Sequence, residues 1–246
     1  KGKLMVKKIV KSAFLGAGLE LRRHNPAYSP DAQLANVLKR QRIDVLFDVG
    51  ANIGQYGGLV RKLGYGGSIV SFEPLAAAHA ALTAASAGDR NWHVAPRGAI
   101  GAEDGEVMIN VAGNSVSSSV LAMLDSHGDA APDSRYTGQE AVPLARLDSV
   151  AGTWLQPASR LFLKIDTQGF EGAVLDGAPE TLARARGVQL ELSLTPLYQD
   201  QLLAEAMMAR LRSAGFAPWT LWQGFADAAS GRLLQIDAIF VREDAA

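Results

Sequence analysis

Asp48, Glu73, Asp166 and Glu191 each stand at or near the end of an apolar run. The runs are Val45-Leu46-Phe47-Asp48-Val49, Ser68-Ile69-Val70-Ser71-Phe72, Leu161-Phe162-Leu163-Lys164-Ile165 and Val188-Gln189-Leu190-Glu191-Leu192. Runs of this kind read as buried strands, and open α/β sheets bind ligands outside the carboxyl ends of their strands. Gly50 and Gly54 follow Asp48 at once. Glycines there let the backbone come close to something bound. The loop is not Gly-x-Gly-x-x-Gly, which argues against a dinucleotide, and it lacks Gly-Lys-Ser/Thr, which argues against a phosphate cradle. A cofactor without phosphates would need close backbone approach and carboxylates for ribose and ammonium groups. S-adenosylmethionine meets that description. Glu73, one strand-helix-strand unit beyond Asp48, is placed for the ribose hydroxyls.

Methyl transfer from a sulfonium is an in-line displacement, so alignment supplies much of the acceleration. An alcohol acceptor must also lose its proton. A carboxylate or a His can take it, or a divalent metal can acidify the alcohol. Asp166 and Glu191 are expected to end adjacent strands, and such oxygen ligands would suit Mg²⁺ or Ca²⁺. The competing reading of this pair is a cofactor-side or capping role without metal. His127, in a polar loop, is a candidate general base or an exposed bystander. His24, His79 and His93 read as structural or exposed. Lys164 is expected to pair with a carboxylate, on the strand face opposite Asp166. Ser115, Ser117, Ser118 and Ser119 either line a sugar pocket or form a polar turn. Trp154, Trp219 and Trp222 either stack on a sugar or pack in the core.

The elements that must position these residues can be read in order. Residues 1 to about 23 form a basic amphipathic segment, read as a helix packed on the domain, with membrane-surface contact as the other reading. Ser29-Pro30-Asp31 starts a helix over Gln33 to Arg42. After the glycine loop come a helix over Gln55 to Leu63, the second strand, an alanine-rich helix over Ala76 to Ala87 and a short strand over Trp92 to Ala95. Residues 96–148 are less regular, with strands at Gly105 to Val111 and Glu140 to Leu144 and a long polar loop between them. Such loops are usually functional or mobile. A helix over Asp148 to Leu155 follows. After the Asp166 strand come helices over Glu171 to Gly177 and Pro179 to Arg186. After the Glu191 strand come a helix over Gln199 to Ala214 and a hairpin of Phe216 to Trp222 with Leu233 to Val241. Strands alternating with helices give a parallel sheet covered on both faces, with right-handed crossovers and an antiparallel edge.

The chain has 246 residues, 48% of them apolar and 20% charged, with formal net charge −1. That fits one domain over residues 1–246, with 1–42 a helical extension packed on it. No basic face calls for nucleic acid. Cysteine is absent, which excludes disulfides, thiolate zinc sites and a cysteine nucleophile. It fits a reducing compartment, and a cytoplasmic location is the expectation. No apolar run reaches the length of a membrane span. The chain does not begin with Met, and its first residues are read as a trimmed or added end. A homo-oligomer is left open.

The blocks "FDVGANIGQYG" (47–57), "SFEP" (71–74), "LKIDTQGFEGAVLDGA" (163–178) and "LELS" (190–193) resemble the FkbM-type S-adenosylmethionine-dependent methyltransferases. So do "NSVSSSV" and "VPLARLDSV", and the likeness spans roughly residues 22–194. The resemblance implies a class I, Rossmann-like methyltransferase fold: a seven-stranded, mostly parallel sheet with helices on both faces and a C-terminal antiparallel hairpin. It implies methyl transfer, mostly to hydroxyl oxygens of sugars, glycolipids or glycosylated natural products. By position it places Asp48, Gly50, Ala51, Asn52, Gly54 and Tyr56 at the cofactor loop. Glu73 would take the ribose, with Pro74 beside it. Asp166 would face the methyl group, and Glu171 follows on the next helix. The family usually has Asp-x-Glu-Gly where this chain has Asp166-Thr167-Gln168-Gly169. The lost charge weakens any base or ligand role at position 168, or moves it to Asp166, Glu171 or Glu191. The alternatives are a catalytically weakened cofactor-fold binding protein and an NAD-dependent oxidoreductase.

Overall fold

The computed structural model describes residues 2–21 and 24–243. Lys1, Arg22 and Arg23 of the basic segment lie outside them. The chain opens with α1 (Gly2–Gly16) and α2 (Pro30–Arg40). Helix α2 starts where the sequence signals it: Ser29 caps it by accepting from Ala32 N, Pro30 fills the first turn, and Asp31 faces the positive end of the helix dipole. Then follow β1 (Val45–Val49), α3 (Gln55–Lys62), β2 (Ser68–Phe72), α4 (Ala76–Ser86) and β3 (Trp92–Val94). An excursion holds β4 (Ala99–Gly101), β5 (Gly105–Ala112), α5 (Asp125–Ala130) and β6 (Tyr136–Arg146). The chain returns through α6 (Leu147–Ala151), β7 (Leu161–Ile165), α7 (Glu171–Asp176), α8 (Pro179–Arg184), β8 (Ala185–Ser193), α9 (Ala204–Ser213), β9 (Phe216–Gln223) and β10 (Gln235–Arg242).

The main sheet has seven strands in the order β3-β2-β1-β7-β8-β10-β9. The first five are parallel, and β10 is antiparallel to both β8 and β9. Side chains alternate across it, as a strand requires. Val45, Phe47 and Val49 join Leu163, Ile165, Val188 and Leu190 against α6 to α9, whereas Leu46, Ile69 and Phe162 pack against α2, α3 and α4. Chain order runs outward from β1 to β3 on one side and from β7 to β8 on the other, so a crevice opens at the carboxyl ends of β1 and β7, the usual place for a ligand in such sheets.

Several expected elements differ. The excursion builds its own three-stranded sheet, β4-β6-β5, covered by Leu75 and Ala78 of the α4 region. Part of the expected polar loop is helical, as α5. Helix α6 is shorter than expected, and α9 starts at Ala204, because residues 199–200 form a turn, with Asp200 at φ 59°, and 201–203 are irregular. Among the described residues of the N-terminal extension, α2 is the helix that packs, burying Ala32, Leu34, Val37 and Leu38. The described side chains of α1 are exposed, which corrects the expectation that residues 1–42 pack as a whole. Among its described residues, the apolar stripe of α1 meets no core.

Candidate functional site

A cavity of about 350 Å³ opens at the carboxyl ends of β1, β2, β7 and β8. One side is the loop after β1. Gly50 has φ 75°, and a Cβ there would lie 1.8 Å from the Asp166 carbonyl oxygen. Only glycine lets this loop pass against the end of β7. The amides of Gly50 and Ala51 donate to the Phe72 carbonyl at 3.0 and 3.1 Å, and the Asp166 amide donates to the Val49 carbonyl at 3.0 Å. Three strand ends are thus tied together by backbone bonds. Asn52, also left-handed at φ 47°, donates its amide to Glu73 Oε2 at 2.8 Å. The Leu75 amide donates to Glu73 Oε1 at 2.9 Å. Burial raises the Glu73 pKa although both amides favour its charge. Each carboxylate oxygen carries two lone pairs, so both retain acceptor capacity for ribose hydroxyls.

The other side is acidic. Asp166, Glu191 and Asp237 line it, with Gln168, Gln189 and Tyr56. Gln168 Nε2 donates to Asp166 Oδ1 at 2.8 Å and Glu191 Oε2 at 3.0 Å, and its Oε1 accepts from the Tyr198 hydroxyl at 2.9 Å. Gln235 Nε2 adds a second bond to Glu191 Oε2 at 2.8 Å. The Tyr56 hydroxyl donates to Gln189 Oε1 at 2.7 Å. Burial, then Asp166, Glu171 and Asp237 as neighbours, pushes the Glu191 pKa up. Burial foremost, with Asp166 nearby, lifts Asp237 to about 6.

Lys164 sits under the junction of the two sides. Its Nζ lies 3.0 Å from Asp48 Oδ1 and 3.6 Å from Asp166 Oδ2, and donates to the Gly50 carbonyl at 3.1 Å. It also lies 5.3 Å from the Tyr56 ring centroid. Burial pushes its pKa down, but Asp48 and then Asp166 more than offset that and hold it charged. Lys164 and Asp166 therefore share a strand face, as residues two apart must. The expectation of opposite faces was wrong.

Of the expected cofactor residues, Gly50, Ala51, Asn52, Tyr56, Glu73, Pro74 and Asp166 line the cavity, and Asp48 and Gly54 do not. Asp48 is fully buried beneath it, and neither carboxylate oxygen has a partner beyond the Lys164 ion pair. Gly54, at φ 92°, turns the chain into α3 against Leu82 and Trp92. Of the expected catalytic residues, Asp166 and Glu191 line the cavity, and Glu171 and His127 do not. Glu171 Oε1 accepts from the amides of Thr167 and Gly169, so it holds the turn after Asp166. His127 is neither exposed nor at the cavity: it is buried between Tyr198 and Phe225, and burial depresses its pKa. Ser115, Ser118 and Ser119 reach the cavity, whereas Ser117 bonds Ser134. No Trp lines it: Trp154 and Trp222 pack against the core, and Trp219 is exposed beneath Arg40.

The residues that sequence reasoning missed are Gln189, Asp237, the stretch Gly98-Ala99-Ile100 and Gln168 as a structural clamp. Their one signal was polarity at 168, 189 and 237 within or beside apolar runs. The lining suits a cationic, phosphate-free cofactor. Gly50 leaves room for close approach, Glu73 offers acceptors, and the only basic lining residue among the described residues, Lys164, is already paired. Mg²⁺ or another divalent cation does not fit as expected. The Gln168 amide stands between Asp166 and Glu191 and donates to both. Among the described residues no group of three or more His, Cys, Asp or Glu is arranged to hold a metal.

A family model described as the methyltransferase FkbM domain matches residues 48–218. No curated protein matches the sequence. Among solved structures, the chain is similar to an rRNA methylase from Streptococcus thermophilus at 10% identity, covering 88% of this chain and 98% of that one, with TM-score 0.45. It is similar to precorrin-6y C5,15-methyltransferase from Geobacter metallireducens at 13% identity, covering 87% of each chain, with TM-score 0.44. Magnesium protoporphyrin IX methyltransferase from Synechocystis, solved with S-adenosylmethionine bound, is similar at 8% identity, covering 87% of this chain and 78% of that one, with TM-score 0.46.

Proposed function

This chain belongs to the FkbM methyltransferase family and is by that membership an S-adenosylmethionine-dependent methyltransferase; we propose that its methyl acceptor is a hydroxyl oxygen of a sugar, glycolipid or glycosylated natural product. The observation that carries the reading is Asp166. It lines the cavity with its side chain 39% exposed, while Oδ1 is held by Gln168. Oδ2 lies 3.6 Å from Lys164 Nζ and keeps lone pairs to take a hydroxyl proton. An oxygen nucleophile needs such a base, and the carboxylate must be positioned before its basicity matters.

S-adenosylmethionine, when bound, supplies the methyl group on a sulfonium leaving group. The chain's own residues do the rest. Glu73 accepts from the ribose hydroxyls, and the Gly50–Asn52 backbone lies close beneath. Lys164 holds Asp166 from the side opposite Gln168. Ser115, Ser118, Ser119 and Gln189 supply neutral donors and acceptors of the kind that read sugar hydroxyls. The acidic lining and the net charge of −1 speak against a nucleic-acid acceptor. Since the donor set does not favour a cation, the acceptor proton goes to Asp166 in this reading, with no metal in its path.

Calorimetric titration tests the first half: S-adenosylhomocysteine binds at micromolar concentration and NAD does not. Mass spectrometry after incubation with S-adenosylmethionine and a panel of sugars and glycolipids tests the second. Failure of S-adenosylhomocysteine to bind would sink the whole reading. A methyl group found on nitrogen or carbon would sink the oxygen acceptor alone.

A further inference from the structure

We propose that α1 is a docking helix that lies on an anionic lipid surface, its apolar side in the interface and its lysines among the headgroups. The inference stands apart from the methyl-transfer reading. Met5 is 68% exposed, Ile9 61% and Leu15 71%, with Val10 and Phe14 at 41 and 40%. Met5, Ile9 and Ala13 recur at one helical turn, and Val10 and Phe14 widen the stripe. Lys8 and Lys11 leave the helix on the other side, where Leu15 lies four residues after Lys11 and seven after Lys8. Helix α2 shows what packing looks like in this chain, since it buries four apolar side chains against the sheet. Helix α1 buries none among its described residues. A contiguous exposed apolar stripe marks an interaction site.

Charge selects the occupant. Residues 2–19 carry Lys3, Lys7, Lys8 and Lys11 and no acidic residue. A second copy of the helix would bring like charges together. An anionic headgroup layer is complementary to them. Among the described residues no helix is long and apolar enough to cross a membrane, so the helix lies in the surface plane, as a basic amphipathic helix does. Each basic residue near such a surface strengthens binding roughly fivefold.

The test is flotation of the full chain with vesicles. Binding is expected to vesicles containing phosphatidylglycerol, and little to phosphatidylcholine alone or at high salt. Ile9→Asp with Phe14→Asp is expected to abolish flotation. Lys8→Glu with Lys11→Glu is expected to lower it by roughly thirtyfold or more. Both double variants are expected to keep parental S-adenosylhomocysteine affinity and thermal midpoint, since Lys8, Ile9, Lys11 and Phe14 are all exposed. The proposal is overturned if the parent ignores phosphatidylglycerol vesicles, or if either double variant floats as well as the parent. It is also overturned if sedimentation without lipid shows a dimer that Ile9→Asp dissociates, which would make a second copy the occupant.

Discussion

The Gln168 side-chain amide is clamped between two carboxylates, donating to Asp166 Oδ1 at 2.8 Å and to Glu191 Oε2 at 3.0 Å. Its oxygen accepts from Tyr198, so both amide protons and one oxygen lone pair are engaged. The residue holds this position at φ 54°, which costs backbone energy on the order of 1 kcal/mol for a non-glycine residue. The clamp ties Asp166 and Glu191 to one amide group.

Gln168→Glu restores the residue usual in the family, yet in this chain it replaces a donor by an acceptor facing two acceptors. The variant is expected to lose roughly 2–4 kcal/mol at pH 8. The loss should shrink at pH 5, where the new carboxyl takes up a proton and donates again. Urea denaturation at the two pH values measures this. A variant as stable as the parent at pH 8 would refute the clamp.

Asp166 and Glu73 should separate chemistry from binding. Asp166→Asn keeps an oxygen for Gln168 but removes the base, and turnover is expected to fall by about 10²–10⁴ with S-adenosylhomocysteine affinity changed only a few-fold. Glu73→Ala removes the ribose acceptor and orphans the amides of Asn52 and Leu75. Affinity is expected to weaken about 10- to 100-fold, as for a hydrogen bond to a charged group. Calorimetry and turnover on the same preparations decide it. Parallel losses in both variants would show that the two roles are not divided this way.

The legible part of the site is the part held by parallel strands. Buried parallel strands appear in the sequence as apolar runs with sharp ends, so Asp48, Gly50, Glu73 and Asp166 declare themselves. Asp48 still fell one layer too deep, because alternation says which face a residue takes and not whether a partner roofs it. Lys164, its register partner on β7, is that roof. Asp237 was invisible for a different reason. It reaches the cavity because β10, not β9, pairs with β8 and sets Asp237 opposite Glu191. The hairpin sequence does not say which strand lies inside. His127 was misjudged because Tyr198 and Phe225, both far along the chain, bury it.

Glu171 gives the fold a pH dependence of unusual sign. Its ordinary value is 4.5, and burial lifts it to about 7 in the folded chain, although the amides of Thr167 and Gly169 favour the charge. The folded state therefore holds the proton where the unfolded state has released it. Stability is expected to fall as pH rises from about 4.5 to about 7 and then level off, with a change on the order of 3 kcal/mol. Asp237, lifted to about 6, adds to the same slope. Glu171→Gln keeps an oxygen for the two amides and removes the titration. It is expected to be the more stable protein at pH 8 and to show a shallower slope. Denaturant midpoints across pH 4–8 check this, and an unchanged slope in Glu171→Gln would place the titration elsewhere.

The Lys164–Asp48 pair is the buried charge on which the cavity floor rests. Lys164 is 8% exposed and Asp48 is fully buried, and Nζ also ties down the Gly50 carbonyl. Lys164→Met strands the Asp48 carboxylate in the interior, where a broken pair costs about 3–5 kcal/mol. Asp48→Asn strands less, because the ammonium keeps Asp166 and the Gly50 carbonyl as partners. The double variant buries no unpaired charge at this position. Its loss is therefore expected to be smaller than the sum of the single losses by about 1–3 kcal/mol. Urea denaturation of the four proteins gives that coupling energy. Strict additivity would mean that the pair does not hold the floor. If the coupling holds, S-adenosylhomocysteine affinity should also fall in Lys164→Met and stay low in the double variant, because the tie to Gly50 is missing from both.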